Sequence, residues 1–240
     1  MLIGILRLDC EPFFVPGLLT CEETFSFPRV SKVVEGATVQ KATSHCEDLE
    51  GAFVQAAREL EQDGVDAIIG DCGYMAIFQE VIQKSVNIPV AMSSLLLVPL
   101  AARMSPHGRK VAILTFRAES LNEAHFRACG WSSKDIPILV EGVEDQWAWA
   151  ALSRPEHPFH GPELEQQLSD VAQKVKRKHP DLGSVVLECT VMPPFAQKIQ
   201  RELRVPIYDM TMLASFLVEG LSRKPFVPSE AASVSKMNVA

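Results

Sequence analysis

The sequence lacks a surplus of positive charge. Its 240 residues hold 23 Lys and Arg against 30 Asp and Glu, for a formal net charge of −7. Such a chain presents no broad basic surface, so nucleic acid and anionic membrane are excluded as main partners. It also lacks a long apolar run. The longest stretch, "IPVAMSSLLLVPLAA", is broken by Pro99 and two serines and is shorter than the roughly 18–20 residues of a membrane span. The N-terminus, "MLIGILRLDCEP", has no basic region ahead of its short apolar run. It reads as a buried first strand and not as a secretory signal. The expected compartment is the cytoplasm, where thiols stay reduced.

Two further absences concern chemistry. The six cysteines, Cys10, Cys21, Cys46, Cys72, Cys129 and Cys189, contain no CxxC pair and no zinc-ligand spacing. His157 and His160 in "HPFH" read as part of a Pro-containing loop, not as a metal pair. No GxGxxG follows the first apolar run, and no GxxxxGK[ST] occurs anywhere. No lysine sits in a context that specifies a Schiff base. We therefore expect no metal and no cofactor.

What is present is an alternation. Hydrophobic residues make up 47% and charged residues 22%, which suits a soluble globular core. Short apolar runs at 2–7, 32–37, 66–71, 89–93, 110–115, 136–141, 184–188 and 206–209 read as eight strands. Helical spacing appears between them. Leu49, Phe53, Ala56 and Leu60 recur on one face, with Gly64 as a stop. Leu164, Leu168, Val171 and Val175 do the same behind Pro162. A third helix is expected over 118–129. Strands alternating with helices predict an α/β fold with mainly parallel sheets.

A repeat divides the eight strands. "DCGYMAIF" at 71–78 and "ECTVMPPF" at 188–195 share an acid, a cysteine, a methionine and a phenylalanine at equal spacing. Cys72 and Cys189 stand 117 positions apart, and at that offset Ile82 matches Ile199, Gln83 matches Gln200 and Pro89 matches Pro206. The match spans strand, turn, helix and next strand. It predicts two duplicated four-strand α/β domains with a cleft between them: 1–98 plus 210–224, then 99–209, with a tail from 225 to 240. The last helix, near 211–221, is expected to cross back onto the first domain. Two long loops, 8–29 and 142–161, are candidates to cover a site.

In open α/β sheets, ligands bind beyond the carboxyl ends of the strands. Cys72 and Cys189 each end a buried strand and precede a helix, whose free N–H groups favour thiolate. Two such turns facing one cleft would supply a base and an acid for moving a proton at one carbon. The other four cysteines read as small buried hydrophobes. The matched methionines and phenylalanines read as helix-to-sheet packing. Asp71 and Glu188, by strand alternation, are expected to point away from the thiols as structural partners. Asp9 ends the first strand at the same rim and is a candidate polar contact, Thr115 flanks the turn that opens the second domain, and Ser93 lies after the fourth strand.

"DAIIGDCGYM" and "VVLECTVM", with "AILTF" opening the second half, resemble the aspartate/glutamate/hydantoin racemase superfamily. The resemblance implies a cofactor-independent isomerase with Cys72 and Cys189 as the acid/base pair. It also implies that Thr190 helps hold a substrate carboxylate, and that the protein is a homodimer. The sequence departs from the amino-acid racemases where they read Cys-Asn-Thr, here Cys72-Gly73-Tyr74, and where glutamate racemases read Thr-His, here Thr190-Val191.

The expected function is racemisation or epimerisation of a small carboxylate, amino acid or hydantoin-like substrate at a carbon next to a carbonyl. Cys72 and Cys189 would be catalytic. Asp9, Gly73, Ser93, Thr115 and Thr190 would bind the anionic substrate, with N–H groups at Gly73 and Thr190 stabilising enolate-like charge. Two alternatives stand beside this. One is a maleate-type cis-trans isomerase with a covalent cysteine intermediate. The other is a binding protein without chemistry.

Overall fold

The computed structural model describes residues 1–44, 47–154, 159–223 and 225. Cys46, His157 and nearly all of the expected tail lie outside the described residues. Among the described residues there are eight strands: β1 (Ile3–Arg7), β2 (Arg29–Val33), β3 (Ala67–Gly70), β4 (Val90–Ala91), β5 (Lys110–Thr115), β6 (Ile138–Gly142), β7 (Leu182–Leu187) and β8 (Ile207–Tyr208). They form two four-stranded sheets, ordered β2-β1-β3-β4 and β6-β5-β7-β8. Every pairing is parallel. The α/β architecture is the one the alternation predicts.

Nine helices cover the sheets: α1 (Val39–Thr43), α2 (Glu50–Gln62), α3 (Gln79–Ser85), α4 (Val98–Met104), α5 (Glu123–Ala128), α6 (Trp147–Ala151), α7 (Gly161–Lys178), α8 (Ala196–Leu203) and α9 (Met210–Leu221), counted among the described residues. The inner strands explain the need for cover. β3 and β7 are buried along their whole length, so both faces of each sheet must meet helices. α2 supplies Phe53, Ala56 and Leu60 to one face, and α7 supplies Leu164, Leu168, Val171 and Val175 to another. α9 brings Met210, Leu213 and Ala214 into one cluster with Ile3 and Ile5 of β1 and Ile69 of β3. α4 lies with the second sheet, where Val98 and Ala101 join Val111, Ile113 and Val185.

Two elements differ from the sequence reading. β2 begins three residues earlier than expected and ends at Val33, four residues short of the expected end. Two of its residues are half-buried and three exposed, with none buried, so this edge strand carries no alternating apolar signature. The helix expected over 118–129 begins later. Residues 118–120 form a separate single turn, and Asn122 caps α5 by accepting the Ala124 N–H at 2.9 Å.

In each sheet the chain order reverses direction beside the first strand, between β1 and β3 and between β5 and β7. Ligand crevices form at such switch points, outside the carboxyl ends of the strands. Both switch points carry a cysteine turn.

Candidate active site between two cysteine turns

The duplicated turns are alike in backbone detail. The Asp71 N–H donates to the Leu6 carbonyl at 2.9 Å, and the Glu188 N–H donates to the Leu114 carbonyl at 2.8 Å. The Cys72 carbonyl accepts the Met75 N–H at 3.0 Å, and the Cys189 carbonyl accepts the Met192 N–H at the same distance. The matched Met75 and Phe78 are buried in the first half, and Met192 and Phe195 in the second. They pack, as their spacing suggests.

The turns also brace each other. The Thr190 hydroxyl donates to the Asp71 carbonyl at 2.6 Å. A Cβ on Gly73 would collide with the carboxylate and the carbonyl of Glu188. Only a glycine lets the first turn lie this close to the second. The Ser94 hydroxyl donates to the Leu187 carbonyl at 2.8 Å. Tyr74 and Ala76, from the first half, sit in the core of the second.

Between the turns lies a cavity of about 650 Å³, within the usual size for a small-molecule site. Cys72 and Cys189 both line it, and each thiol residue is half-buried. Asp9, Gly73 and Thr190 line it too. Thr115 and Ser93 do not. Thr115 is fully buried one layer behind the wall, donating to Glu188 Oε2 at 2.7 Å. Ser93 caps the 94–97 turn by accepting the Leu95 N–H. Asp9 accepts the Gly36 N–H at 2.9 Å, which fixes the turn after β2.

Both long loops reach the cavity. Residues 8–13, Leu18 and Thr20 line it from the first, and Leu152, Ser153 and Arg154 from the second. The loops meet where the Phe13 and Phe159 rings approach to 5.2 Å, and Phe159 stacks in turn on Phe195.

Asp71 and Glu188 were expected to point away from the site. Both line the cavity instead. The alternation rule does not reach them, because β3 ends at Gly70 and β7 at Leu187. The signal was in the repeat: an acid stands in register at the end of two otherwise apolar strands. Burial pushes each acid up to about 7. Arg7, with its Nε at 3.8 Å from Asp71 Oδ2, pulls Asp71 the other way. For Glu188 the opposing pull is the Thr115 hydroxyl.

The expectation of ready thiolates is also corrected. Burial, then the Glu188 charge, then Cys189 hold the Cys72 thiol well above its ordinary value. Burial and Glu188 push Cys189 up to about 12. The N–H groups of Tyr74 and Val191 oppose these shifts without cancelling them. Desolvation of a thiolate outweighs the short turns that follow each cysteine. Behind the thiols, the Tyr74 hydroxyl lies 3.0 Å from Thr115 Oγ1 and accepts the Arg117 N–H at 2.8 Å.

No group of three or more His, Cys, Asp and Glu among the described residues is arranged to hold a metal ion. No helix among them is long and apolar enough to cross a membrane.

A duplicated parallel α/β scaffold with one cysteine turn per half defines a class. The chain belongs to the Asp/Glu/Hydantoin racemase family, whose model matches residues 24–215. Among curated proteins it is similar to a dimethylsulfoniopropionate lyase from Durusdinium sp. clade D, 29% identical over 233 residues, covering 93% of this chain and 76% of the relative. It is 26% identical over 233 residues to dimethylsulfoniopropionate lyase 3 from Emiliania huxleyi, covering 93% of this chain and 60% of that longer relative. Among solved structures the fold matches arylmalonate decarboxylase, with TM-score 0.61, 15% identity, and coverage of 92% of this chain and 94% of the other. A glutamate racemase isoform from Bacillus anthracis gives TM-score 0.56 at 16% identity, covering 92% and 82%. These structural likenesses establish the fold.

Proposed function

We propose that this chain is a thiol-dependent lyase. Its substrate is a small carboxylate with a sulfonium group on the β-carbon, as in dimethylsulfoniopropionate. The observation that carries this reading is the single cavity lined by both repeated cysteines. The names of the relatives give the leaving group.

The first step is shared by racemases and lyases: removal of a proton from the carbon beside a carboxylate. We assign the base to Cys189. Its thiolate takes the α-proton, and the released electron pair forms the new Cα–Cβ double bond. The Cβ–S bond breaks and its electrons leave with sulfur. Dimethylsulfoniopropionate thus yields dimethyl sulfide and acrylate, and the thiol later returns its proton to water. A bound sulfonium also lowers the thiol's pKa, since an adjacent positive charge favours the thiolate. Arg7 and Arg154 line the cavity as cations for the carboxylate. Phe13, Tyr74 and Phe116 line it as aromatic faces for the sulfonium.

A second reading keeps proton transfer and drops the leaving group. Cys72 lines the same cavity, and a second thiol is what a racemase or epimerase needs to return a proton from the other side. A maleate-type isomerase fits less well, because a dianion would sit beside Asp71 and Glu188.

The test uses dimethylsulfoniopropionate, an amino-acid panel, hydantoins and maleate in D2O, with headspace detection of dimethyl sulfide and NMR of the remainder. Dimethyl sulfide with equimolar acrylate supports the lyase. Deuterium at an α-carbon without elimination supports the racemase. Conversion of maleate would sink both.

A further inference from the structure

Glu188 is fully buried, and its Oε1 is without a hydrogen-bond partner. Its Oε2 accepts from Thr115 at 2.7 Å. The other acid of the cavity, Asp71, has a guanidinium beside it. Glu188 forms no ion pair among the described residues. A buried carboxylate without a cation is costly, so it either takes up a proton or awaits a positive charge from outside. It sits on the cavity wall, separated from the first cysteine turn only by the thickness of Gly73.

We propose that Glu188 is the counter-charge for a cationic substrate group. It acts through space across the Gly73 turn and makes the cavity prefer onium carboxylates to neutral ones of the same shape. This rests on the lyase reading for the identity of the cation and on the geometry alone for the preference.

The groups whose ionisation Glu188 affects are Cys72, Tyr74, Cys129 and Cys189, and it raises all four. Without a bound cation all four are held toward their neutral forms. Asp71, beside Arg7, is a second acid of the cavity raised to about 7. The Glu188 proton must leave before the counter-charge exists. Cation binding is therefore coupled to proton release, and the preference fades as pH falls through about 7.

The test is calorimetric binding of two probes that match in shape and differ in charge. They are 3-(trimethylammonio)propanoate and 4,4-dimethylpentanoate, which carries a tert-butyl group in place of the ammonium. Wild type is expected to bind the cationic probe about tenfold more tightly at about pH 8 and to lose most of that preference at about pH 6. Glu188→Gln is expected to bind both probes alike at either pH. Thr115→Val removes the hydroxyl that holds Glu188 down, so the loss of preference should move to higher pH.

Equal binding of the probes by wild type, or binding of neither, overturns the assignment. So does a preference that survives Glu188→Gln, which would belong to Asp71. If Glu188→Gln does not fold, an unmoved pH midpoint in Thr115→Val overturns it instead. Dimethyl sulfide release is measured separately. Cation preference without turnover keeps Glu188 and removes the lyase. Turnover with preference intact in Glu188→Gln does the reverse.

Discussion

At the residue scale, two thiols share a cavity but are not equivalent. Burial and the Glu188 charge raise both, and Cys72 is raised by Cys189 as well. An elimination needs one base, whereas racemisation needs two thiols. Cys189→Ser is expected to slow dimethyl sulfide release by about 10²–10⁴-fold, the usual worth of a positioned base. Cys72→Ser should slow it less, and equal loss in both would favour the racemase reading. Gly73→Ala forces a methyl group into Glu188. It should cost about 1–3 kcal/mol in thermal or denaturant unfolding, as overpacking does. The cysteines, Gly73 and Thr190 were legible because the repeat marks both turns. Glu188 and Asp71 were misjudged because alternation was carried one residue past the end of a strand. Thr115 was found for its place at the end of β5, yet it holds a carboxylate from behind, which only the fold reveals.

At the element scale, the long helices and inner strands were legible because burial imposes a period on them. α2 and α7 keep their apolar faces at the spacing the sequence shows. β2 was not, since an edge strand has no core face to advertise. The two long loops drew attention through length alone, and both line the cavity. Their meeting point is the Phe13–Phe159 pair. Phe13→Ala removes that contact and leaves the thiols in place. It should raise KM several-fold with kcat little changed, consistent with about 1 kcal/mol for an aromatic pair. A matching fall in kcat would instead give Phe13 a part in the chemical step.

At the scale of the whole molecule, the buried acids shape stability. Asp71 and Glu188 are raised from 3.8 and 4.5 to about 7 in the folded protein. The folded state therefore binds these protons more tightly than the unfolded chain. Their contribution is full below the unfolded values and is lost as pH rises to about 7. The melting temperature should fall over that window, and Glu188→Gln should flatten the fall. Exposed acids such as Glu80 and Asp181 are shifted downward by lysines, so their influence is confined to lower pH.

The clasp between the turns has a kinetic meaning as well. Neither half owns a finished site: Gly73 needs Glu188 as its neighbour, and the Asp71 carbonyl needs the Thr190 hydroxyl. A chain whose halves have each folded but not yet joined would still offer Cys72 and Cys189 to an alkylating reagent. The moment alkylation of those sulfurs slows during refolding is the moment the halves close, so two natural cysteines serve as a built-in clock for the last step of assembly.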